Sequence, residues 1–304
     1  MGIYGHIETF QGKPVINYEK DTTIVNSLNA VYRLSVEYDS EHTILDLLTQ
    51  LSADPSASKI IELIIGMWDY DTSSQGIVDC LIENRQKLSG LKALFLGDIT
   101  GDENEVSWIQ QSNLSLLLNA YNDLEYLQVR GNEGLQLGEL KLDRLKTLII
   151  ETGGLNPSIV KEICQAKLPQ LEHLELWLGD PNYGGDTKVE DLAPILAGKL
   201  FPKLSYLGLK DSVIADHVAI AVSTAPVMQQ IKVLDLSLGN LGDVGATALL
   251  ASPFINQLEK LDLNYHYISP ELMAKLEELD IEVDISDEQD SEEDEDCRYI
   301  SVSE

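Results

Sequence analysis

LSYLGL at 204–209, IKVLDL at 231–236 and LEKLDL at 258–263 are one pattern written three times, 27 residues apart. Apolar residues hold the first, fourth and sixth places. The alternation over the last three is that of a short strand with one buried face. Repetition at a period of roughly 20–50 residues marks a stacked repeat, in which each unit buries its apolar face against its neighbours. Toward the N-terminus the same L-x-x-L-x-L core, with Ile or Val admitted, returns at LEHLEL (171–176), LKTLII (145–150), LEYLQV (124–129), LKALFL (91–96), IIELII (60–65) and VYRLSV (31–36). A shorter echo, LEELDI at 276–281, closes the series. Successive starts lie 18 to 33 residues apart, which leaves room for a return segment after each strand and for a parallel sheet built from neighbours.

The return segments carry helix signals. Helix periodicity is read over 43–51, 76–88, 106–120, 189–200, 216–222 and 243–250, and Asn156-Pro157 and Ser269-Pro270 are helix starts with proline at the first helical position. The 21-residue unit from Leu124 is too short for a helix and is expected to be a tight, helix-free coil. On these residues the chain resembles the leucine-rich-repeat superfamily in its ribonuclease-inhibitor-like form, over about residues 28–285. FQGKPV, LGDPNYGGDTKVEDLAPIL and LDLSLGNLGDVGATALL look like a bacterial group of such proteins without an assigned activity. The resemblance implies an α/β solenoid, a horseshoe with the parallel β-sheet on its concave face and helices on its convex face. The Asn that the superfamily places after the strand is clear only at Asn240, and Ser212 and His266 stand near the corresponding places. Residues 1–27 are expected to form an N-terminal cap with a hairpin around Gln11-Gly12-Lys13-Pro14, 28–285 about ten repeats, and 286–304 an acidic, disordered tail.

The 304 residues contain 21 Lys plus Arg against 51 Asp plus Glu, a net charge of −30. Such a field repels phosphate backbones and anionic membranes, so neither nucleic acid nor a membrane surface is an expected partner. A hydrophobic share of 44% supplies an ordinary core. No basic-then-apolar leader opens the sequence and no run approaches 18 apolar residues. Cys80, Cys164 and Cys297 are scattered, without metal or disulfide spacing. The first two read as small core residues and the third as exposed. A monomeric cytoplasmic protein without cofactor or metal is expected. Trp68 is placed in a loop after a strand, and Trp108 on a helix facing the core.

With helices on one side of the sheet, function is sought on the other. The residues between the leucines form columns there. Outward positions of the central repeats hold Ile64, Phe95, Tyr126, Arg130, Ile149, His173, Trp177 and Tyr206, residue types that anchor protein interfaces. Toward the C-terminus the column turns acidic at Asp235, Asp262 and Asp280. Like charges on adjacent strands repel, which argues for a compensating partner, although Asp in an L-D-L core also has structural uses. The expectation is therefore a non-enzymatic module binding a protein or peptide on the concave face. The alternative is an acidic module or chaperone-like regulator that holds a basic protein with the C-terminal shoulder and the tail, whose stretch 286–296 contains eight carboxylates. Least favoured is a hydrolase using His173 and Glu175, because no nucleophile elbow, phosphate loop or metal triad accompanies them. The Asp180 to Asp191 loop resembles a calcium loop but has Gly184 at its fifth place and Asp191 in place of the terminal Glu. It is read as a surface loop, as is the stretch around Asp98 and Asp102.

Overall fold

The computed structural model describes residues 5–37, 39–290 and 298–302. They form two compact units, one of the chain up to Glu151 with Gln165–Leu168, the other of Thr152–Cys164 with the chain from Pro169.

In the first unit, β1 (Thr9–Phe10) and β2 (Lys13–Asn17) form an antiparallel hairpin. Its turn uses Gln11 and Gly12, both with left-handed backbone (φ 49° and 74°). β2 then begins a parallel ladder through β3 (Val31–Leu34), β4 (Glu62–Ile65), β5 (Ala93–Leu96), β6 (Tyr126–Arg130) and β7 (Thr147–Glu151). Helices α1 (Ile44–Ala53), α2 (Gln75–Glu83) and α3 (Ser115–Ala120) return the chain. α1 begins where Thr43 and Asp46 cap each other's backbone N–H groups. It buries Ile44, Leu47, Leu48 and Leu51, one stripe at helical spacing.

The second unit repeats the plan with β8 (His173–Gly179), β9 (Tyr206–Ser212), β10 (Val233–Asp235), β11 (Lys260–Asp262) and β12 (Glu282–Asp284), all parallel. α4 (Pro157–Cys164) precedes β8, and between the strands run α5 (Val189–Leu196), α6 (Ala215–Ser223), α7 (Asp243–Leu250) and α8 (Pro270–Glu277). The leucines of each L-x-L pair in register with those of the next, as Leu207 does with Leu234 and Leu234 with Leu261, and all three are fully buried. Each contributes about 2 kcal/mol by the transfer of its side chain from water.

The chain leaves most strands through one left-handed residue, Gly97 and Gly131 in the first unit, then Gly179, Asp211, Leu238, Tyr265 and Asp287 in the second. Gly97 is confined to glycine twice over, since its φ is 108° and a Cβ there would stand 2.7 Å from the Arg130 carbonyl oxygen. Asn240 fills the expected bridging role, its side chain donating to the Val213 carbonyl of the preceding coil at 2.9 Å. His266 does comparable work: its Nδ1 accepts the Ile268 N–H, so Nε2 carries the proton and donates to the Ile285 carbonyl.

Four expectations need correction. The first repeat is in register two residues earlier than the leucine pattern suggests, because Tyr32 and Leu34 pair with Leu63 and Ile65, and Arg33, not Ser35, joins the outward column. At the other end LEELDI runs from α8 into the following turn, and the last strand is Glu282–Asp284. Asp284 pairs with Asp262, so Asp280 is exposed before the strand and does not belong to the column. The helix expected over 106–120 shrinks to a single turn at Val106–Trp108 and the six-residue α3. Between them Gln110 and Asn113 bridge to Glu133 and Gln136 of the helix-free coil, and that pairing takes the backbone groups a helix would have used. Trp108 is consequently 64% exposed, while Val106 is the residue that turns inward.

Cys80 and Cys164 are half-buried free thiols, and Cys297 lies outside the described residues. Of the expected disordered tail, 291–297 and 303–304 also lie outside them. Residues 298–302 are packed against the second unit. Val302 N–H donates to the Asp211 carboxylate at 2.9 Å, Ser301 N–H to the Leu238 carbonyl at 2.8 Å, and Tyr299 N–H to the Tyr267 hydroxyl at 3.0 Å. Ile300 and Val302 are buried. The segment thus crosses three successive turns, meeting the Asp211 side chain, the Leu238 carbonyl and the Tyr267 hydroxyl.

Candidate functional site

The outward face of the first unit is occupied by the chain itself. Phe10 lies on Phe95 with ring centroids 6.5 Å apart and meets Tyr126 edge-on at 4.9 Å. With Val31, Ile64, Ala93 and Phe95 it forms a closed apolar cluster, flanked by Ile7, Val15 and Tyr126. Polar ties hold this cover down. Lys13 makes an ion pair with Glu62 at 2.8 Å, and Asp98, fully buried, receives Arg33 at 2.7 Å and His6 at 3.4 Å. Glu103 meets the other nitrogen of His6 at 3.2 Å. The neighbouring Asp98 and Glu103 carboxylates raise the His6 pKa from 6.5 to about 9, so the imidazole is cationic at neutral pH.

Beneath the cover a polar chain runs across β6 and β7. The Tyr126 hydroxyl donates to Gln128 at 2.6 Å, Gln128 donates to one Glu151 oxygen at 2.6 Å, and Arg130 donates to the other at 2.6 Å. Arg130 also reaches the Ile99 carbonyl at 2.6 Å and lies over the Phe95 ring. Ile64, Phe95 and Arg130 therefore present no surface to a partner, and Ile149 is buried as well. Tyr126 keeps a half-exposed edge.

The second unit presents a different face. His173 and Tyr206, aligned across β8 and β9, stack with centroids 3.7 Å apart and planes 8° from parallel. Both rings are half-buried. Their polar ends are held from below: the Tyr206 hydroxyl donates to Asp235 at 2.5 Å, and His173 stands 3.4 Å from Glu175. Glu175 also accepts the Trp177 indole N–H at 2.7 Å, which places Trp177 under the face, 4% exposed. Burial alone would push the Glu175 carboxyl up. The His173 and Trp177 hydrogen bonds and the charge of Lys210 outweigh it and bring the pKa down to about 2. Lys210 sits between Glu175 at 3.6 Å and Asp235 at 3.1 Å, and those carboxylates raise its own pKa against the lowering effect of burial.

The acidic column reads Asp235, Asp262 and Asp284, and each member has a local use. Asp235 accepts the Ser237 N–H, Asp262 the Asn264 N–H and Asp284 the Ser286 N–H, so an outward Asp closes the end of its own strand two residues on. Lys260 lies 3.0 Å from Asp262 and 4.0 Å from Asp284. Burial, then the neighbouring Asp235, raises the Asp262 pKa. In the Asp180 loop the carboxylates are likewise spent on the backbone, Asp180 capping the turn at Asn182 and Asp191 accepting the Lys188 N–H. Among the described residues no group of three or more His, Cys, Asp or Glu is placed to hold a metal ion. No helix among them is long and apolar enough to cross a membrane.

Sequence reasoning missed His6, Phe10 and Asp98. The signal available was the apolar column itself: Ile64 and Phe95 facing outward in so charged a chain require something apolar to cover them, and Ile7 and Phe10 stand near the start.

No protein-family model matches the sequence, and no curated protein is similar to it. Among solved structures, the crystal structure of a Bacteroides fragilis protein determined by the Northeast Structural Genomics Consortium aligns with a TM-score of 0.82 at 30% identity, over 88% of this chain and 76% of that one. An internalin, InlF of Listeria monocytogenes, aligns with a TM-score of 0.42 at 16% identity, over 84% of this chain and 61% of that one. With the strands of the repeat in register within each unit and the Bacteroides fragilis protein alike over most of both chains, this is a leucine-rich-repeat protein of the same family as that protein.

Proposed function

We propose that the chain is a non-enzymatic interaction module that receives a protein or peptide on the outward face of its second unit. The observation that carries this reading is the stacked His173–Tyr206 pair, two rings fixed in orientation by Asp235 and Glu175 and partly open to solvent. Aromatic groups held this way bring large contact area with little conformational entropy left to lose on binding. Lys210, further along β9, and Lys260, two strands away in the same register row as Tyr206, add polar groups to this face. Of the anchors expected from the sequence, His173 and Tyr206 are the reachable ones in this unit, with Trp177 supporting them from beneath.

The charge repulsion that argued for a basic partner on the acidic column is met inside the chain by Lys210 and Lys260. A hydrolase at His173 and Glu175 has little physical support, since a carboxyl with a pKa of about 2 is a weak base and is never protonated at neutral pH to act as an acid. The test is affinity purification with the intact chain and with His173→Ala/Tyr206→Ala, read by quantitative mass spectrometry. Partners captured by the native protein should be depleted about tenfold or more with the double variant, the loss expected of a central aromatic anchor. Equal recovery from a variant with native circular dichroism overturns the reading.

A further inference from the structure

Away from both outward faces, the first unit has a cavity of about 380 Å³ at the edge where β3 and β4 run on toward α1 and α2. Two loops wall it. The loop after β3 supplies Val36, Glu37 and His42, and the loop after β4 supplies Met67, Trp68, Asp69 and Tyr70. Trp68 is 6% exposed and its indole N–H is spent on the Thr72 carbonyl at 2.9 Å, so the ring is fixed and asks for no further polar partner. Tyr70 is 43% exposed.

Charge separates this cavity from two others. One of about 510 Å³ beside α5 and α6 sets Lys188 among Asp186 and Glu190, and one of about 460 Å³ beside β2 and β3 includes Lys20 and Arg33. Among the described residues the 380 Å³ cavity is lined by the carboxylates of Glu37 and Asp69 and by His42, without Lys or Arg, although Val36, Glu37 and His42 form a wall shared with the cavity of Lys20 and Arg33. The N-termini of α1 and α2 also border it, and their partial positive charge acts the other way. That of α1 is already met by Asp46, and two full carboxylate charges exceed the remaining half charge.

A cavity with a fixed indole in its wall, an exposed tyrosine at its edge and two exposed carboxylates, Asp69 also accepting the Asp71 N–H at 3.2 Å, suits a flat cation on an apolar stem. Guanidinium stacks on aromatic faces and pairs with carboxylates, and the stem of an arginine gains from apolar contact. The volume is in the range of about 300–1,000 Å³ usual for ligand pockets and accepts one long side chain. We propose that this cavity receives an arginine side chain from a basic segment of a partner protein, with the guanidinium between Glu37 and Asp69 and its stem against Tyr70 and the edge of Trp68. The site belongs to the other unit from the His173–Tyr206 face, so either can fail without the other.

The chain has three tryptophans, so the full-length protein labelled with 5-fluorotryptophan gives a fluorine spectrum simple enough to assign with Trp68→Phe. The probes are N-acetylarginine methylamide, its uncharged isostere N-acetylcitrulline methylamide, and free arginine. The Trp68 resonance should move saturably with the arginine amide, with affinity about tenfold or more above that for the citrulline amide, as a cation–π contact joined to two carboxylate charges requires. Free arginine, whose own carboxylate meets a chain of net charge −30, should bind more weakly than the amide. Glu37→Gln/Asp69→Asn, at two exposed positions away from the core, should weaken the arginine amide by about tenfold, and Tyr70→Ala by about threefold. A Trp68 signal that stays still, equal binding of the citrulline amide, or undiminished binding by the double variant overturns the site. Tighter binding of free arginine overturns its assignment to a peptide.

Discussion

At the scale of single residues, the outward positions of this repeat do structural work that their types conceal. Arg130 looks like an interface anchor from its column, yet it is 1% exposed and spends its guanidinium on Glu151, the Ile99 carbonyl and the Phe95 ring. Removing it leaves Glu151 charged and buried. Arg130→Ala should therefore cost about 3–5 kcal/mol in urea denaturation, the range for breaking a buried pair by deleting one partner. Arg130→Met with Glu151→Leu should recover most of that, because two apolar residues of similar size remove both desolvation costs together. On the other unit, Tyr206→Phe deletes one hydrogen bond to Asp235, which keeps Lys210 and Ser237 as partners, so a loss of about 1 kcal/mol is expected. A cost beyond twice that would mean that the stack with His173 depends on the hydroxyl.

At the scale of elements, the N-terminal hairpin is the part whose role the sequence disguised. It reads as a terminal cap, but a cap ends a sheet, whereas this segment also lies across one, with Phe10 over Phe95 and His6 over Asp98. Phe10→Ala should destabilise the first unit by about 3 kcal/mol and raise binding of a hydrophobic dye, since Ile64 and Phe95 lose their cover. The imidazole tie sets a pH dependence. His6 has its folded-state pKa raised from 6.5 to about 9, so its contribution is fully present below about pH 6.5 and declines as the pH rises through 9. The difference in melting temperature between the native protein and His6→Ala should accordingly be greatest at pH 6 and shrink toward pH 9.5. A difference that grows over that interval would contradict the ion-pair geometry with Asp98 and Glu103. Glu175 works in the opposite sense: with its pKa lowered from 4.5 to about 2, the stability it brings is present above about pH 4.5 and is lost as the pH falls through 2.

At the scale of the whole molecule the dominant quantity is the net charge of −30. The carboxylates along the outward column of the second unit are interleaved with Lys210 and Lys260, so the excess lies in solvent-exposed positions and, between 271 and 304, in 15 Asp and Glu against 2 Lys and Arg. Exposed like charges repel through water and are screened over about 10 Å at 0.1 M salt. Raising sodium chloride from about 10 to 150 mM should therefore increase the melting temperature, in contrast to a protein held by surface ion pairs. Deleting 298–304 tests the C-terminal segment separately. It removes the buried Ile300 and Val302 and exposes Asp211, and a fall in stability of the second unit of about 4 kcal/mol is expected from the lost apolar burial alone.

The repeat, its strands and most of its helices follow from the sequence by itself, because a leucine at every second place and a return of regular length leave one way to bury the apolar face. Ends of the series were read less well: VYRLSV and LEELDI satisfy the same pattern in the wrong register, and local spacing cannot tell which pairing the neighbouring coil will accept. The Asp column was legible as a structural habit, and the hydrogen bonds from Ser237, Asn264 and Ser286 supply its cause. What only the tertiary structure decided is which outward residues meet solvent. A column in a repeat fixes the side of the sheet that a residue faces, whereas its exposure depends on segments far away in the chain, Phe10 over Phe95 and Val302 against Asp211, whose contacts no periodicity records.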